Sequence, residues 1–224
     1  MRSDSIKGVI DMKHKNNCIF NTILAIGAHP DDIEFSCVGF LLKQKKLGAR
    51  VHFLIMSKGE KGNNGNGAQR FAEQEAAQSL SQFDSLHFGA FKDGEIGFCP
   101  ETIGFIEKMI CEINPDLILT HYPEDWHQDH IQTALSTRAA CRNVPKLWYY
   151  RSYSAVNFNP QIYVDISEEA SAKRELLEVF RSQIDKNFSK GIDFAKIAME
   201  YNCAYGGEVG VEYAEGFIPY RYLI

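Results

Sequence analysis

Two short clusters of polar residues carry side chains of the kinds that bind metal ions. The first contains His29, Asp31 and Asp32, and the second contains His127 and His130. Zinc takes histidine nitrogen and carboxylate oxygen as ligands, and a catalytic zinc site keeps one position open for water. His29 and Asp32 are three residues apart, so both side chains can reach one point at the start of a helix. A third ligand then has to come from elsewhere in the chain.

The residues around these clusters predict how they are positioned. An apolar run at 23–28 stops at the first cluster, and an amphipathic pattern follows from Asp32 to Lys46, so we expect a strand, a tight turn and a helix. The buried pattern at 116–120 predicts another strand just before the second cluster. In an open α/β sheet, ligands bind beyond the carboxyl ends of the strands. Both clusters are therefore expected at the ligand-binding edge of the sheet.

Strands and helices alternate along the rest of the chain, which predicts an α/β, Rossmann-like fold with a mostly parallel sheet and helices on both faces. We expect further strands at about 50–56, 84–88, 147–150 and 161–166, and further helices at about 68–80, 101–113, 131–141, 168–184 and 192–202, before a glycine-rich tail. The Asn- and Gly-rich stretch 57–67 is expected to be a loop, either a flap over the site or an ordinary surface loop. No composition break marks a linker, so residues 1–224 are predicted to form a single domain with an irregular lead-in at 1–20.

Composition excludes several classes of function. The 224 residues carry a net charge of −5, which disfavours nucleic-acid binding because such proteins usually present a basic face. Six scattered cysteines without a Cys-x-x-Cys pair suggest neither a thiolate zinc site nor a redox motif, and they suit a reducing compartment. The polar N-terminus argues against a secretory signal, and no apolar run approaches the ~20 residues of a membrane span. We therefore expect a cytoplasmic protein.

Three motifs resemble those of a known enzyme family. Residues 28–34 read Ala-His-Pro-Asp-Asp-Ile-Glu, residues 127–130 read His-Gln-Asp-His, and a weaker motif occupies residues 210–217. With these motifs the chain resembles, from about Ile23 onward, the LmbE-like or PIG-L deacetylases. The resemblance implies the LmbE-like fold and a zinc-dependent hydrolase that removes the acetyl group from an N-acetylglucosamine-type amino sugar or conjugate. It also implies a small-molecule substrate and a homo-oligomer.

The resemblance further implies a role for each motif residue. His29, Asp32 and His130 would bind zinc, while Asp31 stays off the metal. Asp31 would be the general base that takes a proton from the zinc-bound water and later protonates the departing amine. His127, as imidazolium, would stabilise the oxyanion.

Two further residues each have an alternative interpretation. Asp129 could orient and charge His127, or it could equally cap the helix that begins there. Arg70 matches an arginine with which family members contact the substrate. It could instead form a surface pair with Glu73, three residues on.

Other functions remain open at this point. The chain could be a catalytically silent metal- or sugar-binding module, or a metal-dependent hydrolase of another amide or ester, and another divalent ion could replace zinc in the cell. A nucleotide-binding Rossmann protein is disfavoured because His-Pro-Asp-Asp stands where a glycine-rich phosphate loop belongs.

Overall fold

The chain folds around one mixed β-sheet in a computed structural model, which describes residues 20–62, 67–188 and 193–223. The strands of this part of the chain are β1 (Thr22–Gly27), β2 (Arg50–Ser57), β3 (Ser85–Phe91), β4 (Leu117–His121), β5 (Lys146–Tyr150), β6 (Ile162–Asp165) and β7 (Ala214–Tyr222). Their order across the sheet is β3-β2-β1-β4-β5-β7-β6. The first five strands are parallel, and β7 runs antiparallel between β5 and β6. The predicted mostly parallel sheet is confirmed.

Helices cover both faces of the sheet, as predicted. They are α1 (Asp32–Lys46), α2 (Gly67–Ser81), α3 (Pro100–Ile113), α4 (Gln128–Ala140), α5 (Ala170–Leu177), α6 (Arg181–Phe188) and α7 (Phe194–Val209). Side chains alternate along each strand, so Ile23 of β1 packs in one core with α1 and α5, whereas Leu24 packs in a second core with α3 and α4. Among the described residues no helix is long and apolar enough to cross a membrane.

The sheet order brings the two polar clusters together. β1 and β4 are parallel neighbours, with Ile23 paired to Leu117, so both strands end at the same edge. The first cluster follows β1 and leads into α1, and the second lies between β4 and α4. Sequence-distant residues thus reach one site because the two strands are adjacent.

The predicted helix at 168–184 is wrong in its length, because the structure divides it into α5 and α6. At the break, the backbone N–H groups of Val179 and Phe180 donate to carbonyls three residues back, and the Phe180 side chain is buried in the core. Glu73 then accepts bonds from Ser182 N (2.8 Å) and Ser182 Oγ (2.6 Å), at the start of α6. A side-chain cap of this kind favours a new helix start.

The C-terminal prediction also needs correction. The last helix does not end near residue 202 but continues as α7 through Gly206 and Gly207. Position 206 within this helix needs a glycine, because a Cβ there would lie only 2.7 Å from the carbonyl oxygens of Val211 and Glu212. The helix ends at Gly210, which has a φ of 80° and so a conformation that glycine adopts without strain.

A buried carboxylate of the C-terminal strand β7 bonds to both α5 and α1. Glu215 of β7 and Lys173 of α5 are both fully buried, with Lys173 Nζ 2.7 Å from Glu215 Oε1. The same carboxylate accepts the backbone N–H groups of Gly39 (2.9 Å) and Phe40 (2.6 Å) in α1. Gly39 permits this approach, since a Cβ there would lie only 3.0 Å from Glu215 Oε1. The carboxylate fixes α1 against the rest of the fold.

Two predicted segments lie partly or wholly outside the described residues. The lead-in at 1–20 is described only at Phe20, which is buried. Of the predicted loop at 57–67, positions 63–66 fall outside, and Gly67 already belongs to α2.

Candidate active site

The turn after β1 directs two neighbouring carboxylates to different partners. Asp31, the residue before α1, has a φ of 85°, a left-handed conformation that aspartate tolerates better than most residues. Its backbone N–H donates to Gln74 Oε1 at 3.2 Å, and its Oδ2 lies 3.2 Å from Arg70 Nη2. Asp32 instead faces a group of histidines. The strained turn thereby separates a carboxylate beside an arginine from a carboxylate beside imidazoles.

Asp32 is the centre of the histidine group. Its Oδ1 lies 3.3 Å from His130 Nε2, and its Oδ2 lies 3.4 Å from His29 Nδ1 and 3.1 Å from His121 Nε2. Burial alone raises the pKa of Asp32. The charges and hydrogen bonds of His130 and His121 outweigh burial and hold this pKa well below the usual value. Asp32 is therefore an anionic carboxylate, which is the form that binds cations.

Each of the two predicted histidine ligands uses its second ring nitrogen to contact a carboxylate. His29 Nε2 lies 3.1 Å from Asp129 Oδ2, and His130 Nδ1 lies 3.0 Å from Asp125 Oδ2. Metal-binding histidines usually donate their other N–H to such a carboxylate, which fixes the ring orientation. His29 Nδ1 and His130 Nε2, the ring nitrogens nearer Asp32, are thus left to bind a ligand.

Within the described part of the chain, three groups of side chains offer atoms within 4.8 Å of one another and could hold an ion. They are His29, His127 and His130; Asp32, His121 and His130; and His29, Asp93 and Asp129. The three ligands implied by the resemblance are distributed over the first two groups, which share His130. Imidazole nitrogen with carboxylate oxygen is a ligand set that suits Zn²⁺ and related divalent ions. The residues present therefore fit a metal.

His127 and Asp129 contact each other through the main chain rather than through the Asp129 carboxylate. The backbone N–H of Asp129 donates to His127 Nδ1 at 3.3 Å, which leaves Nε2 of His127 for other partners. The Asp129 carboxylate contacts His29 and accepts the Gly94 N–H at 2.6 Å. Burial, with His130 and His29 nearby, lowers the pKa of His127.

Arg70 is buried beside the turn and does not contact Glu73, which caps α6 instead. Its Nη2 donates to Pro30 O (2.6 Å) and Asp31 Oδ2 (3.2 Å), and its Nη1 donates to Gly59 O (3.2 Å). The alternative that Arg70 forms a surface pair with Glu73 is therefore excluded.

The carboxyl group next to Arg70 has a shifted pKa. Burial raises the pKa of Asp31 to about 6, even though the Arg70 charge lowers it.

Sequence reasoning did not identify Asp125 as a site residue. This buried carboxylate accepts His127 N (2.7 Å) and Ser154 Oγ (2.6 Å) on Oδ1, and it accepts His130 Nδ1 and Ser152 Oγ on Oδ2. It thus joins the end of β4 to the segment after β5. An acidic residue five positions before a candidate ligand histidine was the available signal. His121 and Asp93 were also missed.

The site opens into a cavity of about 460 Å³. Six of the seven predicted site residues line it, namely His29, Asp31, Asp32, Arg70, His127 and His130. The seventh, Asp129, is not in this lining, and its carboxylate contacts His29. A cavity of this size falls within the ~300–1,000 Å³ of small-molecule sites, so the charged cluster is accessible to a ligand.

Comparison with known proteins identifies the family. Residues 24–141 match the family model described as PIG-L, GlcNAc-PI de-N-acetylase. An uncharacterized deacetylase, YaiS, of Escherichia coli is 30% identical over 154 residues, covering 66% of this chain and 83% of that protein. A probable N-acetyl-alpha-D-glucosaminyl L-malate deacetylase 2 of Bacillus cereus is 27% identical over 185 residues, covering 73% of this chain and 84% of that protein.

A solved structure shares the fold. The N,N'-diacetylchitobiose deacetylase from Pyrococcus horikoshii superposes with a TM-score of 0.80 at 21% identity, covering 96% of this chain and 89% of that one. The sequence match extends from β1 through α4, the part of the chain that contains both polar clusters. The chain therefore belongs to the PIG-L family.

Proposed function

We propose that this protein hydrolyses the N-acetyl group of an N-acetylglucosamine-type amino sugar or its conjugate and releases acetate. As a PIG-L family member it is a deacetylase. Two of the proteins named above are described as a probable N-acetyl-alpha-D-glucosaminyl L-malate deacetylase and as an N,N'-diacetylchitobiose deacetylase. One observation carries the proposal. A buried carboxylate with a raised pKa, Asp31, lines the same cavity as a set of imidazole and carboxylate groups suited to a metal.

His29, Asp32 and His130 are the residues that would hold the metal, as Zn²⁺ or another divalent ion. When bound, such an ion supplies Lewis acidity, which makes water more acidic and polarises a carbonyl group. The bonds from Asp129 to His29 and from Asp125 to His130 support this assignment, because they orient both rings.

Asp31 is assigned as the general base. Its carboxylate lines the cavity beside the proposed ligands, and burial raises its pKa above the ordinary value, toward the pH at which one group can both accept and release a proton. It takes a proton from the attacking water as the new carbon–oxygen bond forms. It then gives the proton to the amine nitrogen as the carbon–nitrogen bond breaks, so the products are acetate and a free amine. Arg70, 3.2 Å away, keeps the carboxylate in place.

His127 is assigned to the oxyanion that forms on the acetyl oxygen. Because its Nδ1 already accepts the Asp129 N–H, its Nε2 carries the proton in the neutral ring as well as in the imidazolium. Donation from Nε2 therefore does not depend on the charge of the ring. A fixed donor of this kind stabilises charge that develops in the transition state.

An acetate-release assay tests the reaction class. Metal-stripped protein and the same protein with zinc restored are each incubated with a panel of N-acetylglucosamine conjugates, and acetate is measured. We expect release only after zinc is restored. Zinc-loaded protein that releases no acetate from any conjugate contradicts the proposal. It would favour a silent binding module or the hydrolysis of another amide or ester.

A further inference from the structure

One side of the cavity is aromatic rather than charged. We call it the outer wall and define it as Phe35, Trp126, Tyr153 and Phe194, which all line the cavity. The Phe35 ring packs against Phe194 with centroids 4.4 Å apart and against Tyr153 at 6.2 Å. Tyr153 is 42% exposed and Trp126 is 82% exposed. The outer wall therefore begins in the core and ends on the surface.

Trp126 is exposed although its backbone is firmly held. Its N–H donates to Ser154 O at 3.3 Å, and its neighbour Asp125 forms a β-bridge with Ala155. On its other side the His127 N–H donates to Asp125 Oδ1 at 2.7 Å. Because Trp126 also lines the cavity, its exposed indole is positioned to contact a ligand bound there.

Part of the cavity lining is polar but uncharged. Beside the charged site residues described above, the lining contains four neutral polar side chains: Ser36, Ser152, Ser154 and Gln183. Three of them are chain neighbours of the outer wall, because Ser36 follows Phe35 and the two other serines flank Tyr153. Lys61 also lines the cavity, but its Nζ lies 3.4 Å from Glu95 Oε1 and already has an anionic partner. Ser152 and Ser154 already donate their hydroxyl hydrogens to Asp125, so toward a ligand they are acceptors, which suits the hydroxyl groups of a neutral sugar.

We propose that the outer wall binds a second, neutral pyranose ring joined to the acetamido sugar, with the Trp126 indole stacked on the face of that ring. This inference rests on the proposed deacetylase function, because it needs the acetamido group to lie at the charged site residues. A pyranose has an apolar face of C–H groups and a polar rim, which match an aromatic wall bordered by hydroxyls. The preferred substrate is then a disaccharide or longer conjugate rather than free N-acetylglucosamine.

Fluorescence tests binding without turnover. The chain has two tryptophans, and Trp148 is only 5% exposed, so emission that iodide quenches reports Trp126. Zinc-loaded protein is mixed with glucosamine or with glucosaminyl-β-1,4-glucose, neither of which has an acetyl group to lose; the second ring of the disaccharide is neutral. We expect the saturating disaccharide to protect Trp126 from iodide, whereas glucosamine leaves quenching unchanged. Equal protection by both sugars, or protection by neither, overturns the inference.

Kinetics of Trp126→Ala provide the second test. Because loss of an aromatic contact costs about 1.4 kcal/mol, KM for N,N'-diacetylchitobiose should rise about 10-fold, while kcat/KM for N-acetylglucosamine changes less than about twofold. Trp126→Phe should restore most of the affinity. Tyr222→Ala, an exposed aromatic outside the cavity lining, is the matched control. Equal losses for both substrates, or none for either, contradict the inference.

The two proposals fail in distinguishable ways. Protection of Trp126 by glucosaminyl-β-1,4-glucose without acetate release from any sugar overturns the deacetylase function and leaves the ring-binding wall. Acetate release without protection overturns the wall and leaves the reaction. A malate conjugate with a lower KM than the disaccharide also overturns the assignment of a neutral ring.

Discussion

Helix α1 contacts two buried groups of charged residues, and they differ in how fully their polar atoms are bonded. In the middle of α1, both oxygens of Glu215 accept hydrogen bonds, and Lys173 supplies the opposite charge. At the start of α1, His121 Nδ1 and Asp129 Oδ1 are buried without a partner among the described residues. Unbonded buried polar atoms are costly. The first group is thus satisfied as it stands, whereas the second retains bonding capacity for a ligand.

Replacing the general base should give the largest effect. We expect Asp31→Asn to reduce kcat by about 10²–10⁴-fold, because an amide cannot take the proton. Zinc binding should be retained, because Asp31 is not one of the proposed ligands. The free energy of unfolding should fall, because the buried Arg70 loses the carboxylate that lies 3.2 Å from its Nη2. Steady-state acetate release, competition with a chromogenic chelator and denaturant unfolding measure the three quantities. Asp165→Asn, at an exposed carboxylate of β6, should behave as wild type, and an Asp31→Asn protein with unchanged kcat would show that the base is misassigned.

Removing the charge of Lys173 from the fully bonded group around Glu215 should lower the free energy of unfolding. Lys173→Met leaves Glu215 without its cation in a fully buried place, and removal of one partner of such a pair costs about 3–5 kcal/mol. Denaturant unfolding measures the loss. Lys108→Met is the matched control, because Lys108 Nζ lies 3.8 Å from Glu112 Oε1 and both side chains are exposed, where ion pairs contribute below about 1 kcal/mol. Equal losses in the two variants would mean that the buried pair has no special role.

A smaller effect is expected from Asp125→Asn. The amide keeps the shape of Asp125 but weakens the bond to His130 Nδ1, and loss of such a supporting carboxylate lowers metal affinity about 10–100-fold. Competition with a chromogenic chelator measures zinc affinity directly, without turnover. Asp84→Asn, at the start of β3, is the control and should bind zinc normally. Wild-type affinity in a folded Asp125→Asn protein would rule out the positioning role.

Local pattern predicted much of the frame around the site. The apolar run at 23–28 and the amphipathic pattern after it predicted β1 and α1 closely, and α1 has the predicted bounds. The three-residue spacing of His29 and Asp32 correctly indicated that the two side chains converge, because this contact is local to one helix start. The spacing of residues within one helix or strand can be read directly from the sequence.

Contacts between distant elements could not be predicted in the same way. Asp129 follows His127 by two residues, yet its carboxylate contacts His29, because the start of α4 turns it toward β1. Asp93 lies 3.3 Å from His29 only because the segment after β3 reaches this edge of the sheet. Hydrophobic periodicity likewise contains no information on strand order, so it did not indicate that β7 is antiparallel between β5 and β6.

The position of β7 also constrains how the enzyme is made. A nascent chain that has emerged only as far as β6 leaves β5 and β6 without the strand that bonds to both, because β7 follows all the other described strands in the chain. It also leaves the amides of Gly39 and Phe40 without the Glu215 carboxylate. The helix that presents Asp32 is therefore secured only after the ribosome has translated β7. Formation of the site therefore depends on a strand that lies more than 180 residues after Asp32 in the sequence.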